Sequence, residues 1–86
     1  MKVILPSPLT DYTGGKRQID AAGATLDGVL FDMDRQFAGI RFRMIDEQER
    51  IRPHIKLFVN GTQQRSLHAA VEHGDEIIVI AALSGG

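Results

Sequence analysis

Apolar residues recur at the spacing of a helix in the first half of the chain. This stripe consists of Leu26, Val29, Leu30, Met33 and Phe37. Steps of three or four residues place such side chains on one face of an amphipathic helix. Thr25 is a suitable N-cap before the stripe, and Gly39 is a suitable stop after it. The pattern therefore predicts one main helix with a single face turned toward a core.

Two strand-like segments precede this helix. Residues 2–9 alternate loosely between apolar and polar side chains and are interrupted by two prolines, which lack a backbone donor and shorten the predicted strand. Residues 16–21 form the second segment, with Ile19 as its inward residue. Gly14-Gly15 supplies the positive φ of a turn between the two segments.

Strand signals also follow the helix. Residues 54–59 end at Asn60-Gly61, which is a strong hairpin signal, and residues 64–67 are expected to pair back briefly. Residues 76–82 are apolar enough to form a central strand. The order strand, strand, helix, strand, short strand, strand predicts an α+β fold with the helix packed on one face of a sheet.

Composition narrows the possible functions. The chain has 86 residues, a net charge of −1 and no cysteine. A chain of this size has one modest core and no room for a deep cleft. The near-neutral charge argues against nucleic-acid binding, and no apolar run approaches the roughly 20 residues that span a bilayer. We expect a cytoplasmic protein with no nucleic-acid or membrane partner, no disulfide and no thiolate metal site.

The polar residues of the chain form no recognisable catalytic or metal motif. His68 and His73 are five positions apart, which is not the spacing of a helical metal-binding pair, so we predict no metal site. Asp32 and Asp34 fall on the helix face away from the apolar stripe and are expected to be solvated. Residues 46–50 carry mixed charges and are expected to form an exposed loop.

The sequence ends in a diglycine directly after the last apolar run. Glycine has no Cβ, so Gly85-Gly86 can enter a channel too narrow for other residues. Four extended residues reach roughly 13 Å, which is enough to enter a partner's active site. We predict that residues 1–82 form a single domain and that residues 83–86 form a flexible tail, which is a substrate for another enzyme.

Three segments in this order resemble the MoaD/ThiS-type ubiquitin-like sulfur carrier proteins. They are residues 55–61 (IKLFVNG), residues 74–80 (GDEIIVI) and the terminal diglycine. Residues 13–15 and 52–54 also resemble segments of a MoaD-like branch associated with cysteine biosynthesis. The resemblance covers most of the chain and implies a β-grasp fold, with a mixed four- to five-stranded sheet and one main helix on one face. One departure is Ser84, where many members have alanine or another small residue.

The resemblance implies a carrier that partner enzymes act on, and not an enzyme. An ATP-dependent adenylating enzyme would form an acyl-adenylate on Gly86, and a sulfurtransferase persulfide or sulfide would convert it to a thiocarboxylate. That group would donate sulfur to an acceptor biosynthetic enzyme in molybdopterin, thiazole, cysteine or specialised-metabolite synthesis. The chain itself would bind no cofactor, because ATP and the sulfur donor serve the partner's reaction.

Partner contacts are expected at the tail and on the exposed face of the sheet. In the tail, the partner-binding residues would be Leu83, Ser84 and Gly85. Strand alternation places Phe58 opposite Leu57 and Val59, so Phe58 either faces outward as a partner anchor or belongs to the core. Arg43 and Arg65 are further candidates for contacts with acidic groups of a partner.

Two other functions fit the same residues. The chain is alternatively a ubiquitin-like modifier conjugated to lysines of other proteins, or a non-catalytic β-grasp interaction module with an incidental diglycine. A thiocarboxylate on Gly86 would distinguish the carrier, and isopeptide adducts would distinguish the modifier.

Overall fold

The computed structural model describes residues 1–82. Its strands are β1 (Lys2–Ile4), β2 (Gln18–Asp20), β3 (Ile55–Val59), β4 (Thr62–Gln64) and β5 (Glu76–Ala81). Its helices are a 3₁₀ helix (Ser7–Thr13) and the α-helices α1 (Leu26–Gln36) and α2 (Ile40–Met44). The strands form one sheet in the order β2-β1-β5-β3-β4.

Strand β5 lies at the centre of this sheet. It pairs in parallel with β1 and antiparallel with β3, while β2 and β4 pair antiparallel at the two edges. The sheet is therefore mixed and five-stranded, and α1 packs on one of its faces. These findings confirm the predicted α+β β-grasp architecture and the central position predicted for the last strand.

The apolar stripe of α1 forms the helical half of the core. Leu26, Val29, Leu30 and Met33 are fully buried, and Phe37 packs against the core from its margin. The sheet contributes every second residue of its strands, because side chains alternate between the two faces of a strand and only one face lies against the helix. The buried face of α1 therefore matches the apolar stripe that the helical period of the sequence predicts.

The start of α1 is fixed by hydrogen bonds to side chains and to a distant loop. Thr25 Oγ1 accepts a hydrogen bond from Gly28 N at 3.1 Å, which confirms the predicted N-cap. The first two amides of the helix donate to Ala69 O and Leu67 O, each at 2.9 Å. The loop before β5 is thereby attached to the helix, which satisfies donors that the helix itself leaves free.

The segment after β1 differs from the interrupted strand that the alternation suggested. Residues Ser7–Thr13 form a 3₁₀ helix with a proline in its first turn, where a missing amide costs nothing. Thr13 Oγ1 donates to Lys16 O at 2.6 Å and so closes the turn into β2. The glycines at 14 and 15 have φ of 68° and 93°, as the predicted turn requires.

A second short helix, α2, was not predicted from the sequence. Gly39 has a φ of 94° and is the N-cap residue of α2, whereas α1 already ends at Gln36. Asp34 Oδ1 accepts hydrogen bonds from Gly39 N and Arg41 N, both at 3.1 Å. The prediction that Asp34 is merely solvated was wrong, because this carboxylate caps the start of α2.

The remaining loops are held by short polar contacts. Asp46 Oδ1 accepts hydrogen bonds from Gln48 N and Arg50 N, so the charged run at 46–50 is exposed but ordered into a turn. Asn60-Gly61 forms the predicted hairpin, with φ of 50° and 85°. Strand β4 begins directly at Thr62, two residues earlier than expected, because a two-residue turn places no further residues between β3 and β4.

Replacing Gly23 with alanine tests the close approach of the chain to the first turn of α1. A Cβ at Gly23 would lie 2.5 Å from Val29 N and 2.7 Å from Gly28 C, which are backbone atoms that cannot rotate away. We expect Gly23→Ala to lower the free energy of unfolding by about 1–3 kcal/mol, measured by urea denaturation. Gly74→Ala is the matched control, since a Cβ there meets nothing within 4 Å. Equal stability of the two variants would contradict the packing described here.

Acid titration tests the carboxylate of Asp32. It accepts a hydrogen bond from Ala22 N at 2.9 Å and pairs with Arg35, and these contacts lower the pKa of Asp32. A lowered folded-state pKa contributes stability above the unfolded pKa of about 3.9, and this contribution is lost as the pH falls through the folded pKa. We expect Asp32→Asn to be less stable than the parent at pH 7, with the difference disappearing in acid.

The measurement is the unfolding free energy at a series of pH values. Asp11→Asn is the control, because this exposed carboxylate accepts no hydrogen bond from any residue in the range 1–82. A pH-independent difference between Asp32→Asn and the parent would show that the carboxylate charge has no part in the stabilisation.

Candidate functional site

The end of the described chain is anchored in the middle of the sheet. Ala81 is paired with Ile55 across β5 and β3, and Ala82 N donates to His54 O at 2.8 Å. The chain is therefore held by the sheet up to the residue that precedes the predicted tail. The tail residues named from the sequence lie outside the described residues, and their roles stay predictions: Leu83, Ser84, Gly85 and Gly86.

The face of the sheet opposite α1 carries an apolar surface. Along β5, Ile77 and Val79 face the helix and are buried, whereas Ile78 and Ile80 face the other way. Ile80 is 43% exposed. The alternation of this strand thus divides its isoleucines between the core and an outer face.

Strand register brings four apolar side chains together on that outer face. Ile78 lies opposite Ile4 of β1 on one side and opposite Phe58 of β3 on the other. We name the set Ile4, Phe58, Ile78 and Ile80 the outer patch. Phe58 faces outward, since its neighbour Leu57 is fully buried, and is itself half-buried by the patch. Its proposed role as a partner anchor stays a prediction.

Polar and charged groups border the outer patch. Lys2 Nζ lies 3.4 Å from a carboxylate oxygen of Glu76, Lys56 is opposite Ile80, and Gln63 is opposite Phe58. The ion pair is about half exposed, so it contributes little to stability. An apolar centre with a polar rim is the arrangement found in protein–protein interfaces.

A small cavity opens beside the last described residues of the sheet. It has a volume of about 230 Å³ and is lined in part by Pro8, Arg43, His54 and Ala82. Arg43, a candidate from the sequence, is thus placed next to the base of the tail. Arg65, the other candidate, lies elsewhere, in a larger groove beside β4. The structure therefore does not bring the two arginines into one site.

The helical side of the molecule carries two exposed aromatic rings that were not singled out from the sequence. Phe31 and Phe42 are 50% and 55% exposed. The guanidinium of Arg41 lies 4.0 Å from the centroid of Phe31, and that of Arg52 lies 4.6 Å from the centroid of Phe42. Both are cation–π contacts. No sequence signal could have shown them, because the first depends on how α2 packs against α1 and the second on how the loop after α2 folds back onto that helix.

Arg41 also forms the most extensive ion pairing among residues 1–82. Its Nη2 lies 2.8 Å from Asp27 Oδ1 and 3.0 Å from Glu49 Oε1. Partial burial disfavours the guanidinium charge, but the hydrogen bonds to Glu49 and Asp27 outweigh this effect and raise the pKa of Arg41. This side chain therefore remains a fixed cation that joins α1, α2 and the following loop.

Residues 1–82 contain no cluster of three or more histidine, aspartate or glutamate side chains that could hold a metal ion. His54 lines the small cavity and His68 lines the groove, so the structure separates them. Within the same range, no helix is long and apolar enough to cross a bilayer.

Comparison with known proteins places this geometry in a family. The ThiS family model matches residues 3–86. The sulfur carrier protein CysO of Mycobacterium tuberculosis H37Rv is 30% identical over 89 residues, which cover 98% of this chain and 96% of CysO.

Solved structures show the same similarity. A chain of the Amycolatopsis orientalis BexX/CysO complex superposes with a TM-score of 0.90 and 32% identity, over 99% of this chain and 98% of that chain. SAMP1 of Haloferax volcanii superposes with a TM-score of 0.80 and 26% identity, over 100% and 98% of the two chains. With its β-grasp sheet and a match extending from residue 3 to residue 86, the chain belongs to the ThiS family.

Proposed function

We propose that this protein is a sulfur carrier and that the carboxylate of Gly86 is the group that carries the sulfur. The observation that carries the proposal is the family match, which runs through the diglycine to residue 86. The similarity to the sulfur carrier protein CysO over nearly the whole of both chains supports it. The absence of cysteine from the sequence also supports it, because no side-chain thiol is available for the same task.

The proposed chemistry has two steps, both performed by partner enzymes. An adenylating enzyme joins the Gly86 carboxylate to the α-phosphate of ATP and releases pyrophosphate. Hydrosulfide then attacks the acyl carbon, the bond to AMP breaks, and a thiocarboxylate, AMP and a proton remain. This reaction requires ATP, so we place the carrier in the cytoplasm. The thiocarboxylate is the sulfur donor for an acceptor biosynthetic enzyme, and cysteine synthesis is the destination that the likeness to CysO favours.

The fold suits a carrier because the strand that bears the outer patch also leads into the tail. Strand β5 pairs with β1 over residues 76–78 and with β3 as far as Ala81, and Ala82 N still donates to His54 O, so the tail begins from a rigid support. A partner that holds the sheet therefore also controls where the tail begins. Fixing the position of a reacting group in this way lowers the entropic cost of the partner's reaction.

The outer patch is the docking surface that we propose for the adenylating partner. It shares β5 with the base of the tail, so one bound enzyme can contact both. Phe58 has the largest apolar side chain of the patch, and aromatic residues commonly provide a large share of interface energy. Partial exposure of Phe58 in the free protein leaves surface that a partner can bury.

The first test measures sulfur on Gly86. Incubation with ATP, sulfide and the adenylating enzyme of the source organism should replace one carboxylate oxygen by sulfur. This change nearly coincides in nominal mass with oxidation of one of the three methionines. The gain must therefore be localised to Gly86 in a C-terminal peptide by mass spectrometry, and it should require ATP.

A chain lacking Gly86 is the control for this test and should show no ATP-dependent gain. Isopeptide adducts to lysines of other proteins would support the ubiquitin-like modifier instead. If Gly86 stayed unmodified in the presence of an enzyme that activates a known carrier, the carrier function would be excluded. The chain would then be a non-catalytic interaction module.

The second test measures docking through the outer patch. Phe58→Ala should raise the KM of the adenylating enzyme for the carrier about fivefold or more, because truncating an aromatic anchor at the centre of an interface costs over about 1 kcal/mol. The kcat should change little, since the tail and its carboxylate are intact. Phe31→Ala is the matched control, with the same substitution on the opposite face. Equal KM values for both variants would show that the partner does not use the outer patch.

A further inference from the structure

A groove on the helical side of the molecule has no part in the function proposed above. It has a volume of about 760 Å³ and lies between residues 49–53 and residues 63–68, beside the edge strand β4. Its floor includes Ile55 and Leu57, which face α1. The groove therefore opens away from the outer patch, and a ligand in it would leave the carrier's proposed docking face free.

The charges of this groove differ in sign from the net charge of the chain. Its lining arginines are Arg50, Arg52 and Arg65, and its acidic lining residues are Asp27 and Glu49. The whole chain has a net charge of −1. Both acidic side chains are bound by Arg41, which offsets one of their two negative charges, so these three groups and the lining arginines together carry a net charge of +2. Within residues 1–82, none of these three arginines forms an ion pair.

The rim of the groove is held in position before any ligand binds. Arg52 Nε donates to Phe42 O at 2.8 Å, and its guanidinium stacks on the ring of Phe42. The backbone of Arg52 donates to Met44 O at 2.9 Å, and Ile45 and Ile51 form a β-bridge. A cation whose rotamer is already restricted loses less entropy when it binds an anion.

The groove also offers apolar contacts between its cations. Ile51 and Leu67 are half-buried lining residues on its two sides, and Pro53 is exposed at the same rim. A phosphate ion or a nucleic-acid backbone would use the arginines but would leave this apolar surface uncovered. A peptide with carboxylates flanking an apolar side chain matches both kinds of surface.

We infer that this groove binds an acidic segment of a partner protein. The segment's carboxylates pair with Arg50, Arg52 and Arg65, and an apolar side chain of the segment contacts Ile51 and Leu67. The edge strand β4 provides a further contact, because its outer edge has no neighbouring strand within residues 1–82. This inference does not depend on sulfur transfer, and it adds a second partner surface on the side opposite the outer patch.

The test uses a synthetic peptide of alternating glutamate and leucine and follows ¹H–¹⁵N chemical shifts of the whole protein. We expect saturable shifts at Ile51 and Leu67 with a Kd below about 1 mM, and no shifts at Ile78. Arg65→Glu should weaken binding roughly fivefold, because an exposed attraction is replaced by a repulsion. Arg17→Glu is the matched control, since Arg17 is exposed beside β2 at the other edge of the sheet and should change binding less than about twofold.

Several results would overturn the inference. A peptide with lysine in place of glutamate that binds equally well would exclude charge recognition. If Arg17→Glu and Arg65→Glu weakened peptide binding equally, the effect would come from the net charge of the protein and not from the groove. Shifts confined to the outer patch would place the peptide on the other face. Inorganic phosphate or duplex DNA binding at the same residues more tightly than the peptide would show that the groove is an anion site of another kind.

Discussion

Strand β5 hydrogen-bonds to β1 along one edge and to β3 along the other, and its register fixes both faces of the sheet. Because side chains alternate along a strand, the register that buries Ile77 and Val79 under α1 also turns Ile78 and Ile80 outward. A slip of one residue would exchange these two pairs, and the cost of exposing the core would be large. The stability of the core therefore determines the position of the outer patch. The pairing with β3 holds the chain up to the start of the tail, so the core, the outer patch and the point where the tail begins all depend on one strand.

The fold could be predicted where local periodicity is strong. The stripe of α1, the hairpin at Asn60-Gly61 and the apolar run of β5 each carry a signal within a few residues of sequence, and the structure confirms all three. The 3₁₀ helix and α2 could not be predicted in this way. Helix α2 is short, and its first turn is capped by Asp34, a residue of the preceding helix. Because this cap comes from another element, it is a tertiary contact, and the helix propensities of a short stretch of sequence cannot predict it.

The candidate site was predictable to a smaller extent. The alternation of residues 55–59 showed that Phe58 and Leu57 lie on opposite faces, but only the packing of α1 shows which of them faces outward. Ile4 could not be associated with Ile78 from sequence at all, because a parallel pairing joins the two ends of the chain. The cation–π contacts and the groove depend on the position of α2, which was itself missed. The sequence therefore indicated which side chains share a face of a strand, but not the surfaces that form when separate elements pack together.

Arg41 shows that the groove is built by contacts other than those that form the outer patch. Its guanidinium binds Asp27 and Glu49 and stacks on Phe31, so one planar cation on α2 contacts both α1 and the loop that follows α2. A lysine at this position would offer a point charge without the planar fork, and could not make these contacts with the same geometry. By binding both carboxylates of the groove, Arg41 offsets one of their two negative charges, so the neighbouring arginines give this region a net positive charge. None of these contacts involves β5, so the arginines at the rim of the groove can change in sequence without altering the register that positions the outer patch.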